Sequence, residues 1–270
     1  MHISAALLLA ASFTAAPPEA LTPPPSAAGP RSIYRINPAL DGALIAAGTV
    51  ASAIPYLFAK QLIHPRCPCD PREVNAFDRG TIGDASKFAD DLSDVTMVAA
   101  VAAPPLLDAL DLGVRGELLE DLVVYAETMA IDTAFVSVTK AAVQRPLPRV
   151  YAGQAPGLIN TPNGYRSFYS GHTTSTVAAL SAGAMTWTLR HGDTAWNRTW
   201  PWLVTGLVGS SVAAERVLAG RHFVSDVLVG AATGAAIGIL VPYLHARAPA
   251  VALGIAPADG GGQLALSLRL

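Results

Sequence analysis

Charged residues are scarce in this 270-residue chain. Asp, Glu, Lys and Arg make up 14% of it, against about a quarter in an average soluble domain. The formal net charge is −2, so no broad basic field favours nucleic acid, and we expect no nucleic-acid partner. Hydrophobic residues reach 51%, and the mean hydropathy is +0.39. This composition favours a membrane protein or a very apolar helical bundle.

Cysteine is also rare. The two cysteines, Cys67 and Cys69, stand in the segment "HPRCPCDP". They are too close in sequence for an ordinary unstrained disulfide, and two thiols complete no zinc site unless residues such as His64 and Asp70 join them. We therefore expect a loop with incidental or redox-active thiols.

The N-terminal region contains neither Lys nor Arg before Arg31. Residues 3–16 form an apolar stretch about as long as the core of a signal peptide, and small residues at its end offer a cleavage site. We therefore predict a signal peptide over residues 1–16. Residues 17–37 are rich in Pro and Ala and are interpreted as a linker.

Apolar stretches rich in Ala, Gly, Ser and Thr follow, each long enough for at least three helical turns. They predict an all-α helical bundle over residues 38–250. The stretches 173–189 and 227–244 carry no charge and approach the length of a bilayer span. In the tail, residues 251–270, a Gly-rich turn and alternating leucines predict a short hairpin. The predicted helices are 42–59, 95–110, 118–139, 173–189, 201–214 and 227–244.

One predicted helix, 118–139, carries several carboxylates. Four acidic side chains would be costly on a face exposed to lipid, so we interpret them as a wetted helix face. They are Glu120, Asp121, Glu127 and Asp132.

Two histidines stand where their chemistry could be tuned. His222 and Asp226 are four residues apart, so on a helix they would share a face and the carboxylate could bond the imidazole. That bond would fix the tautomer and leave the other ring nitrogen free as a base or nucleophile. His172 lies in "YSGHTTST", at the start of an apolar helix whose free amides favour an anion.

The polar residues around these histidines suit an anion with several oxygens, meaning phosphate. Guanidinium groups match phosphate bidentately, and phosphoryl transfer needs mainly positioning and charge stabilisation. No Asp, Glu or His cluster with metal-ligand spacing accompanies them in sequence, so we expect no metal and no cofactor. The candidate residues occupy three stretches: Lys140, Arg145 and Arg149; Ser170, Gly171 and His172; Arg216, His222 and Asp226.

In this order the three stretches resemble the motifs of the type 2 phosphatidic acid phosphatase and vanadium haloperoxidase superfamily. "SFYSGHT" is similar to its Pro-Ser-Gly-His motif, with Tyr169 in place of proline. "ERVLAGRHFVSD" is similar to its Ser-Arg-x5-His-x3-Asp motif, with Glu215 in place of serine. The family's first motif, Lys-x6-Arg-Pro, would begin at Lys140, but Leu147 stands where its arginine is expected.

The resemblance implies a role for each candidate residue. His222 would be the nucleophile that takes the phosphoryl group, Asp226 would orient it, and His172 would protonate the leaving alcohol. Because Leu147 interrupts the first motif, we expect Arg145 to hold the phosphate in its place. The remaining phosphate ligands would be Lys140, Ser170, Gly171 and Arg216.

The implied function is metal-independent hydrolysis of a lipid phosphate or another phosphomonoester through a phosphohistidine intermediate. Two alternatives stay open. Leu147 and Glu215 favour a catalytically impaired envelope protein of the same fold. A vanadate-dependent haloperoxidase is the other, although such enzymes usually have longer chains.

We expect the protein in the cell envelope, in contact with the membrane and with its site facing outward, as in the family's membrane members. A cleaved signal peptide followed by six crossings would instead leave residues 140–149 inside the cell. Three resolutions stay open: the N-terminal segment is retained as an extra span, 42–59 does not cross, or the domain is a soluble exported bundle.

Overall fold

The structure is a computed structural model that describes residues 32–67, 69–247, 251–258 and 261–268. Residues 1–16, the predicted signal peptide, and most of the predicted linker lie outside these ranges. Six long helices confirm the all-α bundle: α1 (Pro38–Leu57), α4 (Lys87–Leu112), α5 (Gly116–Val143), α7 (Gly171–His191), α8 (Ala195–Leu218) and α9 (Val224–His245).

Shorter elements occupy the connections. They are α2 (Ala59–Leu62), α3 (Ala76–Arg79), α6 (Pro148–Tyr151) and two 3-10 turns, Pro71–Glu73 and Pro162–Tyr165. At the C-terminus, strand β1 (Val251–Ala258) pairs antiparallel with β2 (Gly261–Leu268).

Several long helices begin before the apolar stretch that predicted them, because the polar residue that caps each helix precedes that stretch. Ser86 accepts a hydrogen bond from the backbone N–H of Ala89, so α4 begins at Lys87. Thr194 accepts from the N–H of Asn197 in the same way at the start of α8. Such caps satisfy amides that the first helical turn leaves unpaired.

Helix α7 is the buried centre of the bundle, in contact with α4, α5, α8 and α9. Its closest neighbour is α9, and glycines one turn apart allow the approach. A Cβ at Gly230 would lie 2.9 Å from the carbonyl oxygen of Ser170, and one at Gly234 would meet that of Thr174 still closer. The residue numbers at these contacts increase in the same direction along both helices, so α7 and α9 run parallel. Their N-terminal ends, which carry two of the three motifs, therefore meet at one end of the bundle.

The carboxylates of α5 are buried, contrary to the expectation of a wetted face. Asp121, Glu127 and Asp132 are at most 3% exposed. The expectation is wrong for these three because α5 packs against α1, α7 and α9. Asp121 pairs with Arg190 of α7 at 2.6 Å, and Asp132 accepts hydrogen bonds from two hydroxyl groups of α7.

Four helical segments in the described part of the chain are long and apolar enough to cross a membrane: α1, α4, α9 and Gly116–Tyr151, which includes α5. Large apolar side chains on them face outward, such as Leu110, which is 82% exposed, and Leu119, which is 65% exposed. Extended apolar surface of this kind marks contact with lipid or with another apolar surface. These helices support a membrane-embedded domain.

The two cysteines were expected as incidental or redox-active thiols that are too close in sequence for an ordinary disulfide. Cys67 and Cys69 form a disulfide in the α2–α3 connection. The backbone N–H of Cys67 donates to the hydroxyl of Tyr165, 3.1 Å away, which ties this connection to the loop before α7.

Candidate active site

The C-terminal end of α5, the N-terminus of α7 and the α8–α9 connection surround a cleft of about 370 Å³. Three arginines, one lysine and both motif histidines line it, and none of the described carboxylates does. The charged and titratable lining residues are Lys140, Arg166, His172, Arg216, Arg221 and His222. The cleft therefore has the charge of an anion site.

His222 lies in the short connection before α9 and is held through Nδ1. This nitrogen donates to the carbonyl oxygen of Ser167 at 2.6 Å, while the nearest oxygen of Asp226 is 3.8 Å away. The expected bond between His222 and the carboxylate is thus absent, because His222 precedes the helix and the i, i+4 geometry does not apply. Burial lowers the pKa of His222, so its imidazole is neutral at pH 7 with the Nε2 lone pair available.

Asp226 acts on the loop around His222. One oxygen of its carboxylate accepts from the backbone N–H of Phe223 at 2.9 Å and from the hydroxyl of Ser167 at 2.5 Å. Asp226 therefore caps the first turn of α9 and fixes the serine whose carbonyl holds His222.

His172 is the second residue of α7. Its Nε2 lies 2.7 Å from a carboxylate oxygen of Asp94, a residue of α4 that the motifs did not indicate. The preceding Ser170 caps α7 by accepting from the N–H of Thr173 at 3.3 Å. The helix N-terminus that was expected to cradle an anion is therefore present at the cleft.

Lys140 and Gly171 fit closely together. A Cβ at Gly171 would lie 3.8 Å from Cε of Lys140, an ordinary van der Waals distance, so the lysine side chain passes directly beside the helix N-terminus. The Nζ of Lys140 donates to the carbonyl oxygen of Arg166 at 2.6 Å. This contact aims the ammonium group at the loop that precedes α7.

Two arginines of the cleft are fixed by one carboxylate. Arg216 donates to Asp90 at 2.9 Å, and Arg221 binds the same carboxylate with two of its nitrogens, the closest at 2.6 Å. The buried Nε of Arg216 has no hydrogen-bond partner among the described residues. Asp90 therefore anchors two guanidinium groups at the cleft wall.

Arg145 and Arg149 do not line the cleft, whereas Leu147 between them does. Arg145 pairs with Asp226 at 2.5 Å and with Asp78 at 2.8 Å. Burial alone would raise the pKa of Asp78, but hydrogen bonds from Arg145, Ser225 and Asn75 outweigh it and lower the pKa to about 2. The geometry is contrary to the expectation that Arg145 replaces the motif arginine, because carboxylates occupy its guanidinium.

Arg166 stands in the cleft where the motifs predicted nothing. It is half-buried, and no described carboxylate pairs with it, so its guanidinium is free to bind an anion. It also lines a neighbouring cavity of about 940 Å³. The available signal was its position directly before "SFYSGHT".

Comparisons with known proteins bear on this cleft. Residues 121–249 match the model of the PAP2 superfamily. The crystal structure of a transmembrane PAP2-type phosphatidylglycerolphosphate phosphatase from Bacillus subtilis is similar over 76% of this chain and 94% of that chain, with 16% identity and a TM-score of 0.45. No curated protein has significant sequence similarity to the chain. The family match, which covers every candidate site residue, supports a phosphatase-type function. Residues 121–249 of this chain are therefore similar to the PAP2 superfamily, in agreement with the resemblance of the three motifs.

Proposed function

We propose that this protein is a metal-independent phosphatase that hydrolyses the phosphomonoester of a lipid through a phosphohistidine intermediate. The observation that carries the proposal is a cationic cleft around a neutral histidine whose Nδ1 is already bound. The apolar helices that surround the cleft favour a lipid over a fully soluble substrate.

In the first step, Nε2 of His222 attacks phosphorus and the bond to the alcohol oxygen breaks. His172 gives its proton to the leaving oxygen, which would otherwise depart as an alkoxide. The imidazole of His222 becomes positively charged, and the carboxylate of Asp226, 3.8 Å from Nδ1, stabilises that charge. Lys140, Arg216 and the amides at the start of α7 bind the phosphoryl oxygens.

In the second step, water attacks the phosphohistidine. His172, now neutral, accepts a proton from that water as the phosphorus–nitrogen bond breaks. Inorganic phosphate leaves, and both histidines return to their starting protonation states.

Arg166 supplies the guanidinium that Leu147 cannot. It lines the cleft together with Lys140, Gly171 and Arg216, and it has no competing carboxylate in the described part of the chain. Its fork can bind two phosphate oxygens at once. The set of cations that binds the phosphate therefore keeps its charge, although one arginine comes from a different position in the chain.

The cleft faces the outside of the cell in this proposal. The disulfide between Cys67 and Cys69 lies in the connection after α2, at the same end of the bundle as the cleft. Disulfides form and persist in oxidising compartments. If the cleft faces outward and all six long helices cross, Pro38 at the start of α1 lies on the inner side of the membrane. A cleaved signal peptide would put Pro38 on the outer side, so an outward site and a cleaved signal peptide exclude each other.

Phosphate release by the detergent-solubilised protein tests the proposal, with p-nitrophenyl phosphate and phosphatidic acid as substrates. We expect turnover to persist in EDTA, to stop in the His222→Ala variant and to be inhibited by orthovanadate, which mimics the five-coordinate transition state. Activity lost in EDTA and restored by magnesium would contradict the mechanism. Vanadate-dependent bromide oxidation would mark a haloperoxidase instead.

A further inference from the structure

Three side chains that commonly bind metals converge far from the cleft. Asp41 lies in the first turn of α1, Glu127 in the middle of α5, and His245 is the last residue of α9. One ligand atom of each lies within 4.8 Å of those of the other two. Glu127 precedes Lys140 by thirteen residues of one helix, or about 20 Å, so this cluster is separate from the phosphate site.

The distances within the cluster are those of ligands, not of hydrogen bonds. Nε2 of His245 is 3.6 Å from Asp41 and 3.5 Å from Glu127, which is too far for a good hydrogen bond. Bonds of about 2.1 Å around a tetrahedral metal ion put neighbouring ligand atoms about 3.4 Å apart. The imidazole is therefore spaced from both carboxylates as in a metal site.

His245 is oriented as a ligand. Its Nδ1 donates to the carbonyl oxygen of Val241 at 2.8 Å, which leaves the lone pair of Nε2 directed at the two carboxylates. Histidines that bind metals usually have their other nitrogen held in this way.

The two carboxylates of the cluster also lack a permanently charged counterion in the described part of the chain, and a protonated His245 balances only one of them. The side chains of Asp41 and Glu127 are 3% and 4% exposed, and among the described residues no Lys or Arg pairs with either. The Oε2 atom of Glu127 is buried without any hydrogen-bond partner in the described part of the chain. Two buried carboxylates that share at most one positive charge are costly, and a divalent cation would match their charge.

We propose that Asp41, Glu127 and His245 bind a divalent transition-metal ion of the zinc class. Two carboxylates and an imidazole form the nitrogen and oxygen ligand set that such ions accept, with water completing the tetrahedron. The ion joins three helices, because each ligand comes from a different one. Its role is to fasten α1 and α9 to α5, not to take part in phosphoryl transfer.

Cobalt binding tests this site, because tetrahedral Co²⁺ has visible absorption bands. The full chain in detergent is freed of metal with chelator and titrated with Co²⁺, and thermal unfolding is followed with Zn²⁺. We expect a single Co²⁺ per chain and, at a hundredfold excess of Zn²⁺ over Kd, a rise in Tm of about 5 °C. Glu127→Gln and His245→Gln should abolish both signals.

The matched control is His191→Gln. His191 also faces a carboxylate, Asp111, but at a direct hydrogen-bond distance of 2.8 Å, so we expect it to bind no metal. A cooperative thermal unfolding transition without metal reports folding of each variant, and phosphatase activity adds a second check because none of these residues touches the cleft. No bands and no Tm shift in the wild type, or unchanged binding in folded Glu127→Gln and His245→Gln proteins, would overturn the proposal whether or not the protein is a phosphatase.

Discussion

Ser167 connects Asp226 to His222. Its hydroxyl donates to the carboxylate at 2.5 Å, and its carbonyl oxygen accepts from Nδ1 of the imidazole at 2.6 Å. The carboxylate therefore orients the candidate nucleophile through a neighbouring residue. Replacing Ser167 by alanine removes the hydroxyl but keeps the backbone carbonyl. The contribution of the hydroxyl can therefore be measured separately from that of the carbonyl.

Ser167→Ala should lower kcat by about tenfold with little change in KM. A hydrogen bond to a charged group contributes roughly 1.5–3 kcal/mol, and part of the positioning remains because the backbone N–H of Phe223 still donates to Asp226. The control is Ser175→Ala, which removes a similar hydroxyl–carboxylate bond to Asp132 away from the cleft and should keep kcat. Wild-type kcat in Ser167→Ala would show that the hydroxyl does not position His222.

The contact between His172 and Asp94 predicts a dependence on the leaving group. In single-turnover experiments, His172→Ala should slow formation of the phosphohistidine from alkyl phosphates by roughly 10²- to 10⁴-fold, and from p-nitrophenyl phosphate much less, because that phenolate leaves without a proton. Asp94→Asn should show the same pattern more weakly, since it removes the charge that favours protonated His172. Equal losses on both substrates would contradict the role of general acid.

The sequence predicted the bundle and the gathering of its motifs because both depend on local patterns. Apolar stretches specify helices, and the three motifs follow in order along the chain. The errors concern partners from distant parts of the sequence. Asp94 is 78 residues from His172, and Asp132 is 42 residues from Thr174, so no spacing rule relates them. The position of Arg145 depends on Asp78, which belongs to no motif.

The proposed orientation predicts which cysteines an impermeant reagent can reach. After mild reduction of intact cells, a charged maleimide should label Cys67 and Cys69. A cysteine introduced at Val114 should stay unlabelled until the membrane is permeabilised. Val114 is 99% exposed and lies between α4 and α5, at the end of the bundle opposite the cleft. The Cys67→Ser, Cys69→Ser background isolates the introduced thiol, and the reverse labelling pattern would put the site inside.

Arg166 and Arg145 have different assigned roles, so replacing each of them should affect a different measured quantity. Arg166→Ala should lower kcat/KM by about ten- to a hundredfold at unchanged Tm, because a charge-assisted bond to phosphate contributes roughly 1.5–3 kcal/mol. Arg145→Ala should instead lower Tm, because removing one partner of a buried ion pair costs roughly 3–5 kcal/mol. It would leave Asp78 and Asp226 buried without their cation.

Leu147→Arg completes the test, because it returns a guanidinium to the motif position at the cleft wall. In the Arg166→Ala background it should recover part of the lost kcat/KM, since either arginine can bind the same phosphate oxygens. Wild-type kcat/KM in Arg166→Ala, with activity lost at unchanged Tm in Arg145→Ala, would reverse the two assignments. An inactive wild type that Leu147→Arg activates would identify the chain as a phosphatase that lost a phosphate-binding arginine. Arg166 would then have failed to replace the missing residue.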